Sequence, residues 1–205
     1  MMNLSYSELR EQLIQAAHLL FHAGVMSHSG HGNMSVRLPE NGHMLLTSTG
    51  HRMAQSIPSH ARSSVGTRVP TARADVHAVI HTHSPRVTSF ALAHRSLPCT
   101  YEAFLRFGIT EDIPVAAWTP RGSQESVTNI VGQLQQHPTI PAVLLGNHGL
   151  LAFSRDPLST AQLILIMEEA AGLTLDARTL GGEQPFPAGA LERERRHVQQ
   201  FGSTQ

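Results

Sequence analysis

Neither sign of charge is in excess in this sequence, where 15 Lys and Arg balance 15 Asp and Glu over 205 residues. Without a basic surplus there is no long-range field to draw in nucleic acid or an anionic membrane, so any partner must be recognised locally. Apolar runs are short as well. Leu163 to Met167 and Val143 to Phe153 are brief or interrupted beside the roughly 20 residues that a membrane-spanning helix needs, and no membrane partner is expected. The chain starts with neither a basic segment nor an apolar one of the secretory kind and passes directly into an amphipathic pattern from Leu4. Export is therefore not expected, and a cytoplasmic location is. The lone cysteine, Cys99, excludes an internal disulfide and agrees with a reducing compartment. One absence is local: no Asp or Glu occurs between Glu40 and Asp75.

Histidine is what the chain has in quantity, 14 in all, and position carries more information than number. The length suits one domain over 1–205 with a sizeable core. Ser5 and Glu8 have capping-box spacing, and Leu9, Leu13, Ala16, Leu20 and Phe21 recur at helical intervals up to Gly24, so the first helix lies there. A Ser/His/Gly loop from Ser27 to Asn33 leads to a short strand over Met34 to Leu38, a turn at Glu40-Asn41-Gly42 and a returning strand over His43 to Thr47. Ser48 to Ala74 has no clean period and reads as loop. Val76 to His83 alternates as a half-buried strand, and Ser84-Pro85 opens a helix to about Ala93. A strand near Val115 to Trp118, a helix ending before Pro138, strands over Ala142 to Leu145 and Leu150 to Phe153, a long helix from Asp156-Pro157 to about Leu175 and a short one over Leu191 to Gln200 complete the pass. Strands that neighbour as hairpins, mixed with helices, predict a layered α/β/α domain around a largely antiparallel sheet.

His81 and His83 stand two apart on a predicted strand, so their side chains leave the same face and can converge on one ion. The same pair can equally be hydrogen-bonded on a sheet face. His77 shares that face but lies roughly 13 Å back along the strand from His81, which favours a structural place. His148 sits in the turn Gly146-Asn147-His148-Gly149, where glycine lets the backbone bend sharply, as it also does in an ordinary hairpin. Three neutral imidazoles with an open position suit a catalytic zinc acting as Lewis acid on a carbonyl or hydroxyl oxygen. Manganese, iron and cobalt stay open.

Taken in order, Gly32-Asn33-Met34-Ser35, Thr47-Ser48-Thr49-Gly50, His81-Thr82-His83 and Asn147-His148-Gly149-Leu150 resemble the signature blocks of the class II aldolase/adducin family. That family includes fuculose-phosphate and rhamnulose-phosphate aldolases, an epimerase and a dehydratase of sugar phosphates. The resemblance implies that His81, His83 and His148 bind a divalent metal, and that Asn33, Thr49 and Gly50 hold a substrate phosphate. It further implies that the chain is a homo-oligomer, often a homotetramer, with active sites near subunit interfaces. Backbone amides in glycine turns, with Asn and Thr side chains, can donate to an anion without a basic patch.

The resemblance fails at one block. Relatives carry Ser-Ser-Glu, whose serines help bind phosphate and whose glutamate is the acid/base beside the metal; here the match is Ser63-Ser64-Val65. Ser63 and Ser64 remain substrate-binding candidates, but valine cannot move a proton, a contribution of about 10²- to 10⁴-fold. Tyr101 and Glu102 lie in a region that approaches the active site in relatives and are the substitute acid/base candidates; otherwise Tyr101 packs and Glu102 is solvated or paired. Glu168 and Glu169 read as packing or ion-pair residues of the long helix. The expected function is a metal-dependent lyase acting on a small phosphorylated sugar or hydroxy-carbonyl compound, with weak aldolase activity or none. A dehydratase, a decarboxylase or a non-catalytic adducin-like interaction module are the alternatives, and Gln55 to Ala74 is expected to be an exposed, poorly packed loop.

Overall fold

The computed structural model describes residues 4–26, 30–38, 43–47, 59–60, 73–120 and 122–201. Its elements in chain order are α1 (Tyr6–His22), β1 (Gly32–Arg37), β2 (Met44–Leu46), β3 (Ser59–His60), β4 (Ala78–Thr82), α2 (Pro85–Leu92), α3 (Glu102–Arg106), β5 (Val115–Ala116), α4 (Gln124–Gln136), β6 (Ala142–Leu145), β7 (Gly149–Ser154), α5 (Pro157–Thr179) and α6 (Ala190–Phe201). The strands form one sheet in the order β3-β2-β1-β4-β7-β6-β5. Every pairing is antiparallel except β5 with β6, so the sheet is mixed and largely antiparallel, as the hairpin-like neighbours predict. The parallel edge arises because the chain crosses from β5 through α4 before it returns as β6.

Period-2 alternation gives the sheet two unequal faces. Ala78, Ile80, Ala142, Leu144, Leu150 and Ala152 belong to the larger core, with α1, α2 and α5 packed on it. Val79, Val143, Leu151 and Phe153 belong to a smaller core closed by Ile130 and Leu134 of α4. These are the expected three layers. Among the described residues only α5 is long and apolar enough to cross a membrane, but its Leu163, Ile164, Met167, Ala170 and Ala171 are spent on the core against α1, α2, β4 and β7. Burying each large side chain there stabilises the fold by about 1.5–3 kcal/mol.

Local signals are honoured at several ends. The capping box forms: Ser5 N donates to Glu8 Oε2 at 2.7 Å and Glu8 N to Ser5 Oγ at 3.4 Å. Asp156 caps α5, accepting from Ser159 N at 2.7 Å. The start of α2 differs from expectation. Ser84 occupies the N-cap but makes no side-chain cap bond; buried Glu168 of α5 accepts from Arg86 N at 2.9 Å and from Val87 N at 3.0 Å instead. A carboxylate from another helix thus satisfies donors that a helix N-terminus leaves orphaned. The stretch read as a loop after Ser48 contributes an edge strand, since Leu45 and Leu46 pair with His60 and Ser59. Its far end is anchored: Arg73 lies over the Phe153 ring at 5.6 Å, donates to the Ile140 carbonyl at 2.6 Å and pairs with Asp75. The rest of that stretch, and the turn at Glu40 to Gly42, lie outside the described residues.

Candidate metal centre

Antiparallel register places the termini of several strands at one end of the sheet. Gly32 pairs with Thr82, Thr82 with Leu150 and Leu145 with Gly149, so β1 and β7 begin where β4 and β6 end. His81 is the last residue but one of β4, His83 follows it, and His148 occupies the turn from β6 to β7. Their ligand nitrogens all lie within 4.8 Å of one another. Ring centroids are 4.9 Å apart for His81 and His83, 4.6 Å for His81 and His148 and 5.0 Å for His83 and His148. His81 is buried and the other two are half-buried, which leaves the cluster open on one side.

The donor set fits a divalent ion. Nδ1–H of His81 donates to the Leu150 carbonyl at 2.9 Å, which selects the tautomer whose Nε2 lone pair points into the cluster. That Nε2 stands 3.1 Å from Nε2 of His83. Two nitrogens each about 2.0–2.1 Å from one ion at a tetrahedral angle stand roughly 3.3 Å apart, so the observed spacing is close to one edge of such a site. Gly149 makes the approach possible: a Cβ there would meet the Thr82 carbonyl oxygen at 2.5 Å and Cδ2 of His83 at 2.9 Å.

The remaining candidates divide. Asn33 lies directly across from His81 on β1, and residues opposed in this way share a face. Thr49, Gly50, Ser63 and Ser64 lie outside the described residues. Thr47, from the same block as Thr49, is buried and accepts from Met34 N at 3.0 Å, a structural bond that locks β2 to β1. Tyr101 precedes α3 and Glu102 begins it; among the described contacts, neither reaches the histidines. The Tyr101 hydroxyl donates to Glu169 Oε1 at 3.2 Å, and that bond, more than partial burial or the nearby negative charge, holds its phenol above the ordinary tyrosine range. His77 continues the ladder, donating from its N–H to the Ser154 carbonyl at 2.9 Å, and is not part of the cluster. Sequence reasoning missed the recess beside His148, lined by Trp118, Thr119, Ser126 and Gly146. No periodicity announces it, because it is made where the parallel edge strand β5 ends beside the β6–β7 turn.

Fold and site together define a layered α/β protein with a three-imidazole cluster at one end of its sheet. Residues 67–175 match the Class II Aldolase and Adducin N-terminal domain, and the chain belongs to that family. It is similar to a 5-methylthioribulose-1-phosphate/5-deoxyribulose-1-phosphate aldolase of Rhodospirillum rubrum, with 26% identity over 95% of this chain and 92% of the relative. Among solved structures, an L-fuculose 1-phosphate aldolase superposes with a TM-score of 0.80 at 21% identity, over 97% of this chain and 100% of the other. A putative aldolase/epimerase/decarboxylase from Klebsiella pneumoniae gives a TM-score of 0.77 at 22% identity, over 94% and 100%. At these identities the structural likeness establishes the fold.

Proposed function

We propose that this protein is a metal-dependent lyase of the aldolase type, acting on a small phosphorylated sugar or hydroxy-carbonyl compound. The convergence of His81, His83 and His148 carries the reading, in a family whose similar member is named for aldol chemistry on ribulose phosphates. These three side chains would hold a divalent ion, of which zinc suits neutral imidazoles best, and that ion would supply Lewis-acid polarisation of a substrate oxygen. Asn33, on the face of His81, donates to the anionic end of the substrate, with Thr49, Gly50, Ser63 and Ser64 assigned beside it by resemblance. Tyr101, whose phenol is held above the ordinary tyrosine range by its bond to Glu169, and the neighbouring carboxylate Glu102 are the substitute acid/base candidates. By resemblance, both belong to a region near the active site and the protein is a cytoplasmic homo-oligomer; within one chain the Tyr101 hydroxyl bonds Glu169 of α5.

The missing carboxylate between Glu40 and Asp75 favours a second reading, a non-catalytic interaction module. Steady-state assays on 5-methylthioribulose 1-phosphate, 5-deoxyribulose 1-phosphate and L-fuculose 1-phosphate, scored for cleavage, dehydration and decarboxylation products, decide between them. The lyase reading expects slow cleavage, below about 1 per second, and tighter binding of phosphorylated compounds than of their dephosphorylated counterparts. No product from any compound, with equal affinity for both forms, supports the module.

A further inference from the structure

Two described residues other than glycine hold a left-handed backbone, His94 at φ 52° and Asn147 at φ 55°, and they are bonded to each other. His94 Nε2 donates to Asn147 Oδ1 at 2.6 Å. Asparagine and histidine both enter this region more often than other non-glycine residues, but only glycine does so without steric cost. His94 directly follows the C-cap of α2, Ala93, the position where helices ordinarily place glycine. Glycine would hold the same backbone without the steric conflict, and what the imidazole adds to it is the hydrogen bond to Asn147.

What it contacts is the turn that carries His148. The His94 Cε1 atom stands 3.3 Å from where a Cβ of Gly146 would be. Asn147 N donates to the Ala91 carbonyl at 3.2 Å, Gly146 N to Ala116 O at 3.0 Å and His148 N to Leu145 O at 2.9 Å. Main-chain bonds thus tie the turn to the end of α2 and to β5, and the His94 ring adds the side-chain tie at Asn147, the residue immediately before His148. Rotation of the Asn147 backbone would swing the His148 imidazole out of the cluster.

We propose that His94 is a positioning residue for the metal centre, bonding the Asn147 side chain so that the turn presents His148 toward His81 and His83. This inference rests on the proposed metal centre. A group hydrogen-bonded directly to a metal ligand typically changes affinity about ten- to hundred-fold when lost; His94 acts one residue further out, through Asn147, which sets the expected loss at the lower end of that range. The test compares wild type, His94→Gly and His94→Gln for zinc affinity, by competition with a chromophoric chelator, and for thermal unfolding without metal. His94→Gly relieves the backbone conflict while removing the bond, so the metal-free protein should unfold at the wild-type temperature or above, with zinc affinity about ten-fold weaker. His94→Gln keeps an N–H donor at similar reach and should recover most of that affinity. Wild-type affinity in His94→Gly overturns the inference alone, as does a loss that Gln fails to rescue and that follows a lowered unfolding temperature. Absence of zinc binding by the wild type overturns the metal centre and this inference together.

Discussion

The α-carbon of Gly149 lies so close to the backbone of Thr82 that a Cβ would sit 2.5 Å from the Thr82 carbonyl oxygen. Backbone cannot step aside as a flexible side-chain end can. Gly149→Ala should therefore push β7 from β4 where His81, His83 and His148 meet, destabilising the fold by about 1–3 kcal/mol and weakening metal uptake. Denaturant unfolding with a zinc titration measures both. An alanine variant with unchanged stability and uptake would show that the strands part freely at this point.

Glu168 bridges two helices by accepting from Arg86 N and Val87 N. Glutamine in its place keeps one acceptor and turns an amide donor toward the other N–H. Glu168→Gln should cost about 1–3 kcal/mol, which for a chain of this size lowers Tm by roughly 2–4 °C per kcal/mol. Calorimetry checks this. An unchanged Tm would mean that water satisfies the start of α2 equally well.

Much of this architecture is legible in the sequence, and the gaps have identifiable causes. Capping spacing at Ser5 and Glu8, the alternation before His81 and the glycine-flanked turn at His148 are short-range signals, and the elements stand where those signals put them. Glu168 looks like a helix-surface carboxylate because its partners are 81 and 82 residues away in the chain. The edge strand Ser59–His60 is only 2 residues long, too short for period 2 to emerge. Asn33 reads as the end of a loop, with a phosphate role by resemblance alone, whereas register sets it inside β1 across from His81. That register depends on β4 pairing β1, which is a fact of topology and not of local pattern.

Tyr101 offers a pH test. The hydrogen bond to Glu169 raises its phenol pKa, so its folded value lies above the unfolded one of about 10. Stability from this bond is fully present below the unfolded value and is lost as pH rises through the folded one. In a Tyr6→Phe background, absorbance titration should show Tyr101 ionising above the ordinary range, and Glu169→Gln should bring it down. Identical curves with and without the Glu169 change would contradict the pairing.

The proposed centre is a metal held by three histidines, and metal content measures that most directly. Plasma emission spectrometry on the protein, prepared without chelator and offered zinc, manganese and cobalt in turn, should find about one divalent ion per chain. His148→Ala should lose most of it while circular dichroism and unfolding stay near wild type. A folded wild-type protein that takes up none of these ions, or a His148→Ala variant with undiminished stoichiometry, would contradict a metal centre at these histidines.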